Sequence, residues 1–342
     1  MPIDVRDRPA APTTVAPRSR ARRATPQRTG PAAGGADRIL AIDLGGTKVE
    51  TALVGDDGRV VPGSRRRRET GASRTPESMA EALRDAIAES LAAADGPVIA
   101  VGVGSAGPID LTLGTVSPHN LPLLRGYPIV EIVQGITGLP VSLRLDGTCL
   151  ALAEHWLGAA QGSAASMSIV VSTGVGGGIV VDGRMLSGAS GNAGHIGQMH
   201  VAVRREGPPE RSTLEAVASG PATVRWARRH GWRGQTGEEL AAAVAHGDTV
   251  AEAATRRSAR FVGQAIASAA TLLDLDRVVL GGGFVNVRDD YLDIARDAAE
   301  HNAIFDYARR VEVRPSGLDG EGPLLGAGAL HFRAALLGGA AG

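Results

Sequence analysis

The chain carries a single cysteine, Cys149, so no disulfide can form within it, and a reducing, cytoplasmic setting is expected. That shortage also excludes a common use of histidine. A closed structural zinc site takes four Cys or His ligands, usually with several Cys. His195 and His200, in the stretch GNAGHIGQMHV over residues 191–201, have no CxxC partner anywhere in the chain, so no zinc is expected. Excess charge is missing too: 36 basic residues balance 36 acidic ones. Nucleic-acid binding usually leaves a basic surplus, so no such partner is expected. No apolar run reaches the ~18 residues of a membrane span, and the N-terminus has no apolar signal core. Lysine is almost absent, Lys48 being the only one.

What remains is an ordinary soluble composition, 43% hydrophobic and 21% charged, on a chain long enough for two lobes sharing a cleft. Residues 1–37 are rich in Pro, Arg, Ala and Thr without an apolar period, and read as a disordered tail. Order begins at Arg38. ILAID is a short apolar strand, GGT a glycine turn, KVETALV an alternating strand and DDG a hairpin turn before RVV. About 130 residues further on, SIVVS, TGVGGG, IVV, DG and RML repeat the same grammar. Two lobes on one plan are therefore expected. Each glycine loop would join antiparallel strands, which suits glycine at φ > 0, and both would offer backbone N–H groups to one anion.

PVIAVGVG (97–104) and LPVSLRL (139–145) read as further strands of the first lobe. A helix is expected over 75–94, with Thr75 as N-cap, Pro76 in the first turn and Met79, Leu83, Ile87 and Leu91 as its apolar stripe. Another is expected over 249–274, before the strand RVVL and the triplet Gly281, Gly282, Gly283. Strands alternating with helices make an α/β chain.

The chemistry starts from the loops. There is no GxxxxGK P-loop, and no GxGxxG opens a helix after the first strand. Lys48 follows DLGGT directly; a compact ammonium there suits phosphate charge, or else it is a solvated strand-end lysine. Asp43 closes a buried apolar strand, a costly place for a carboxylate unless it meets a cation. A hydrated Mg2+ on nucleotide phosphates would provide one. Asp146 closes the strand VSLRL before Gly147. It can orient an acceptor hydroxyl and take its proton, or cap the helix TCLALAEHW.

The segments AIDLGGTKVE, GSAGPID, SPHNLP, LDGTCLALAEHWLGAAQG, STGVGGGIVVDGR, GNAGHIG and VVLGGGFVN together resemble the ROK family (repressors, open reading frames and kinases). This is the sugar-kinase branch of the actin-like ATPase superfamily. The resemblance implies two ribonuclease-H-like lobes closing on ATP, Mg2+ and a hexose. The N-terminal lobe would span 38–145, completed by a C-terminal helix over 327–340, and the C-terminal lobe 146–326. It implies phosphate contacts from Asp43, Gly45, Gly46, Thr47, Lys48, Thr173, Gly174 and Gly176, with Mg2+ near Asp43. Gly281, Gly282 and Gly283 would lie against the adenosine. Asp146 falls at the family's catalytic carboxylate, Gly107 and Asn120 in sugar-contacting loops, and Glu215 at a sugar-binding glutamate. A homodimer is implied as well.

The departures are specific. Members typically read GExGH, whose Glu binds sugar, followed by CxCGxxGCxE; the His and three Cys hold zinc. Here His195 stands for that Glu, Gln198 for that His, and VAVRREGPPERSTLE contains no cysteine. Leu145 replaces the usual Asn before the catalytic Asp. His195 and Gln198 are then expected to line the sugar pocket, and His200 to be a strand histidine with a satisfied side chain. The expected activity is glucokinase-like, ATP-dependent phosphorylation of a hexose or N-acetylhexosamine, with Asp146 as general base. The alternative is a non-catalytic sugar-binding or sugar-responsive regulatory protein of the family, suggested by the lost zinc ligands and Leu145.

Overall fold

The computed structural model describes residues 36–201, 209–318 and 320–337. The tail expected over 1–37 falls almost wholly outside them, as do part of the cysteine-free segment and the end of the helix expected over 327–340.

Strands β1 (Arg38–Leu44) and β2 (Lys48–Gly55) form an antiparallel hairpin in which Asp43 pairs with Glu50. β3 (Arg66–Glu69) extends it on one side. β4 (Val98–Ser105) runs parallel to β1 on the other. A short ribbon of β5 (Ile109–Asp110) and β6 (Thr115–Val116) follows, and β7 (Val141–Leu145) closes the sheet beside β4. The second sheet uses β8 (Ala165–Val171), β9 (Val175–Val181), β10 (Arg184–Met185), β11 (Arg277–Gly281) and β12 (Glu312–Pro315). The orders are β3-β2-β1-β4-β7 and β10-β9-β8-β11-β12. Each is an antiparallel three-strand meander followed by two parallel strands, so the repeated grammar of the sequence is a repeated sheet.

Helices α1 (Pro76–Leu91) and α2 (Ile129–Thr137) pack on the first sheet. The Thr75 hydroxyl accepts the Ser78 N–H at 3.3 Å, an N-cap worth ~1 kcal/mol. Burial of Met79, Leu83 and Ile87, each fully enclosed, outweighs it at ~1.5–3 kcal/mol per side chain. The first lobe also leads into α3 (Asp146–Trp156). The core of the second sheet is shared by α4 (Leu214–Ala218), α5 (Gly220–Arg229), α6 (Gly237–Ala245), α7 (Thr249–Leu273), α8 (Tyr291–Asn302) and α9 (Asp306–Arg309). In α7 the Asp248 carboxylate accepts the N–H groups of Val250 and Ala251, both at 2.9 Å, and Asp274 at φ 51° ends the helix.

α10 (Gly322–Phe332) begins earlier than expected because Pro323 suits a first helical turn, where its missing N–H is not needed. It packs on β1, β2 and β4, while α3 packs on β8 and β9, and the two helices pack on each other. Their approach is close. A Cβ on Gly326 would lie 1.8 Å from the Cys149 carbonyl oxygen. Among the described residues no helix is long and apolar enough to cross a membrane.

Candidate active site

The carboxyl ends of β1, β4 and β7 stand side by side, with Leu44 in register with Ser105 and Ser105 with Leu145. Ligands of open α/β sheets meet the sheet at such ends. Asp43 lies one residue before the end of β1, and Asp146 directly follows β7 as the first residue of α3. Asp43 is buried and accepts no hydrogen bond from a described residue. Burial, then the negative charge of Asp146, pushes its pKa up to about 7, against the pull of Lys48. Burial likewise pushes Asp146 up to about 6, opposed by the Gly147 N–H at 2.7 Å and by His195, and reinforced by Glu215. The capping alternative for Asp146 does not form. Leu145 occupies the N-cap, and the Asp146 carboxylate takes the N–H of its own neighbour.

The first glycine loop is closed by the Gly45 N–H donating to the Lys48 carbonyl at 2.9 Å, and is buttressed by the Thr70 hydroxyl on the Gly45 carbonyl at 3.0 Å. The second loop is shorter than expected. Its turn is Ser172–Gly174, and Gly176–Gly178 already belong to β9. Nor do the loops use glycine at positive φ: Gly45, Gly46, Gly174 and Gly176 all have negative or extended backbone. Crowding is the constraint instead. A Cβ on Gly46 would lie 3.0 Å from the Asn120 Cβ, and one on Gly174 would lie 2.6 Å from Glu215 Oε2 and 4.0 Å from Asn120 Nδ2. Asn120, exposed, therefore sits between the two loops. Thr47 and Thr173 are exposed at their tips.

β9 also meets the start of α3. A Cβ on Gly147 would collide with the Gly177 oxygen at 2.4 Å, and one on Gly176 would be 3.9 Å from Asp146 Oδ1. Glu215, in the first turn of α4, accepts the Val175 N–H at 2.9 Å and the Gln198 amide at 3.3 Å. His195 sits against Gly107, whose Cβ would fall 2.7 Å from His195 Nε2, while Nδ1 donates to the Asn192 carbonyl at 2.9 Å. Gly281 pairs with Val170, and Gly282 at φ 101° passes so close to Val171 that a Cβ would be 2.4 Å from its oxygen. Gly283 is open. The triplet thus flanks the second loop.

Lys48 is not free. Its ammonium pairs with Glu50, which lies on the same face of β2 and is shared with Arg65 at 3.1 Å. Burial alone would raise the Glu50 carboxyl, but Lys48 and Arg65 hold it below the usual range. Sequence reasoning missed Glu50 and Arg65, although a glutamate two residues from Lys48 on a strand was a readable signal. It also missed Asn192, for which no signal existed. His200 bonds the Ser212 hydroxyl at 2.7 Å through Nδ1. Cys149 is buried in α3, its thiol pushed up by burial and by the charges of Asp43 and Asp146.

Among the described residues no group of three or more His, Cys, Asp or Glu is placed to hold a metal. A buried carboxylate without a hydrogen-bond partner among the described residues, and repelled by a second carboxylate, suits a hydrated Mg2+ shared with substrate phosphates. Asp43 fits that description.

The ROK family pattern matches residues 39–334. An N-acetylmannosamine kinase of Shigella flexneri is 37% identical over 260 residues, covering 74% of this chain and 85% of that protein. A ROK hexokinase structure from Thermus thermophilus superposes with TM-score 0.73 at 34% identity, covering 87% of this chain and 99% of that one. A ROK family glucokinase from Streptomyces griseus, solved with glucose and AMPPNP, gives TM-score 0.75 at 29% identity, covering 86% and 98%. The family match runs from the second residue of β1 to beyond the end of α10 and so takes in both duplicated sheets. The chain belongs to the ROK family and has the two-lobed, actin-like ATPase fold of its sugar kinases.

Proposed function

We propose that the protein transfers phosphate from ATP to a hexose or N-acetylhexosamine, with N-acetylmannosamine the first substrate to test and Asp146 as general base. It is an ATP-dependent sugar kinase. The observation that carries the assignment is the pair of buried carboxylates with different surroundings. Asp146, raised to about 6 and next to His195, Glu215 and the glycines of β9, is mostly ionised at neutral pH yet more basic than an ordinary aspartate. It takes the proton of the acceptor hydroxyl as that oxygen attacks the γ-phosphorus and ADP leaves. Phosphoryl transfer is mainly positioning and charge stabilisation, and the remaining residues divide those tasks.

Gly107, Asn120, His195, Gln198 and Glu215 hold the sugar. Gly45, Gly46, Thr47, Thr173, Gly174 and Gly176 present the phosphate loops, and Gly281, Gly282 and Gly283 take the adenosine. Lys48 reaches phosphate by leaving Glu50, which Arg65 continues to neutralise. Asp43 would hold Mg2+ through water or phosphate; the ion, when bound, offsets the phosphate charge. Residues 38–145 with α10 act as one lobe and 146–326 as the other, in a homodimer whose mass sedimentation would check. Support for the sugar comes from the names of the curated relatives, which are N-acetylmannosamine kinases. The test is ADP release across N-acetylmannosamine, N-acetylglucosamine, glucose and mannose. The expected result is the highest kcat/KM on N-acetylmannosamine; no ADP release with any sugar overturns the reading.

A further inference from the structure

Residues 191–195 cross from the second lobe and lie against residues 107–111 of the first. The two segments meet at three places, two residues apart on the first-lobe side. Gly107 faces His195, where a Cβ would be 2.7 Å from Nε2. Ile109 is clasped by the Asn192 side chain: Oδ1 accepts the Ile109 N–H at 2.9 Å and Nδ2 donates to the Ile109 carbonyl at 2.8 Å. Leu111 covers Gly191, which lies at φ 84° with its Cβ position 2.5 Å from the Leu111 side chain. The Asn192 amide thus does for Ile109 what a neighbouring strand would do, filling both its hydrogen-bonding positions.

The same residue acts on the imidazole. A carbonyl oxygen only accepts, so the Asn192 backbone carbonyl at 2.9 Å requires the proton of His195 to be on Nδ1. Nε2 of the neutral ring is then an acceptor, turned toward Gly107 and the neighbourhood of Asp146. The clasp needs both lobes, because Ile109 belongs to the first and Asn192 to the second.

The geometry points to Asn192 as a positioning residue: by clasping Ile109 across the cleft and accepting from His195 Nδ1, it presents His195 Nε2 as an acceptor for a sugar hydroxyl when the lobes are together. Asn192 touches no reacting atom and acts through His195. The inference rests on the sugar-wall reading of His195, but its first test does not.

That test is the ring 15N shifts of His195 in the unliganded protein, which report the tautomer without turnover. Protonation on Nδ1 is expected, and an Nε2-protonated ring overturns the proposal even if sugar phosphorylation is established. The second test is kinetic, on Asn192→Ala and the near-isosteric Asn192→Asp, which sets a carboxylate oxygen against the Ile109 carbonyl. Sugar KM should rise about five- to tenfold in each, because losing the side-chain clasp on Ile109 frees the backbone carbonyl that orients His195. kcat should stay within about threefold and ATP KM should not move. Added to His195→Ala, Asn192→Ala should bring little further loss, since both act through one imidazole. Multiplying effects, or ATP and sugar KM rising together, mark Asn192 as a general structural residue and overturn the assignment.

Discussion

Asp43, near the end of β1, and Asp146, directly after β7, stand with only β4 between those two strands, and the charge of Asp146 raises the Asp43 carboxyl. Burial raises both carboxyls, Asp146 to about 6 and Asp43, with the Asp146 charge added, to about 7. At about 6 Asp146 is mostly ionised at neutral pH and can serve as a base. The raised Asp43 carboxyl is one that a nearby cation would favour in its charged form.

Asp146→Asn should lower kcat by ~10²–10⁴, the usual loss of a general base, while sugar Kd stays within about threefold. In the wild-type enzyme kcat should fall as pH drops through about 6, because the base is then protonated. Calorimetric sugar binding with stopped-flow turnover separates the two effects. Undiminished turnover in the variant removes Asp146 from the role.

Asp43→Asn should change stability with pH in a defined direction. A carboxyl raised in the folded state favours folding below its ordinary value of 3.8 and loses that contribution as pH rises through about 7. The unliganded variant should therefore gain on the wild type between pH 5 and 8, by an amount of order a few kcal/mol at most. Tm measured at several pH values checks this. A variant that is less stable than wild type at pH 8 contradicts the buried-charge account.

Glu50→Gln leaves Lys48 and Arg65 without their shared anion. Both cations are about a third exposed, at 31% and 39%, which screens the loss. The expected destabilisation is ~1–2 kcal/mol rather than the ~3–5 of a fully buried pair. Lys48→Met should instead raise ATP KM about tenfold or more and leave sugar KM unchanged. Equal effects on both substrates would detach Lys48 from the phosphates.

His195→Ala should raise sugar KM several-fold, the ~0.5–1.5 kcal/mol of one hydrogen bond, with a smaller change in kcat. Steady-state kinetics decide. If turnover vanished at unchanged KM, the general base would be His195.

Purified protein should contain no stoichiometric zinc, because its one cysteine is buried in α3. Elemental analysis finding one zinc per chain would require other ligands and a new account of residues 191–215.

The period-two strands around GGT and TGVGGG, and the caps Thr75 and Asp248, were determined by short stretches of sequence acting locally. Strand pleat, helix capping and apolar periodicity each involve residues a few positions apart, so the duplicated sheets, the start of α1 at its Thr75 cap and the span of α7 could be read in advance, whereas α1 ends at Leu91, short of the expected residue 94. The placing of Asp43 and Asp146 at strand ends was legible for the same reason. What the tertiary structure decided lies between distant segments. Gly176–Gly178 join β9 rather than a loop because they pair with Ser168–Val170 of β8, and the approach of Gly147 in α3 leaves no room for side chains there. Glu50 is shared between Lys48, its neighbour on β2, and Arg65, which only the folded chain brings back beside that strand. Asn192 meets Ile109 across 83 positions of chain, a contact that exists only once two lobes have been brought together. Burial sets the pKa of Asp43 and Asp146, and burial is a property of the assembled interior that no local pattern contains.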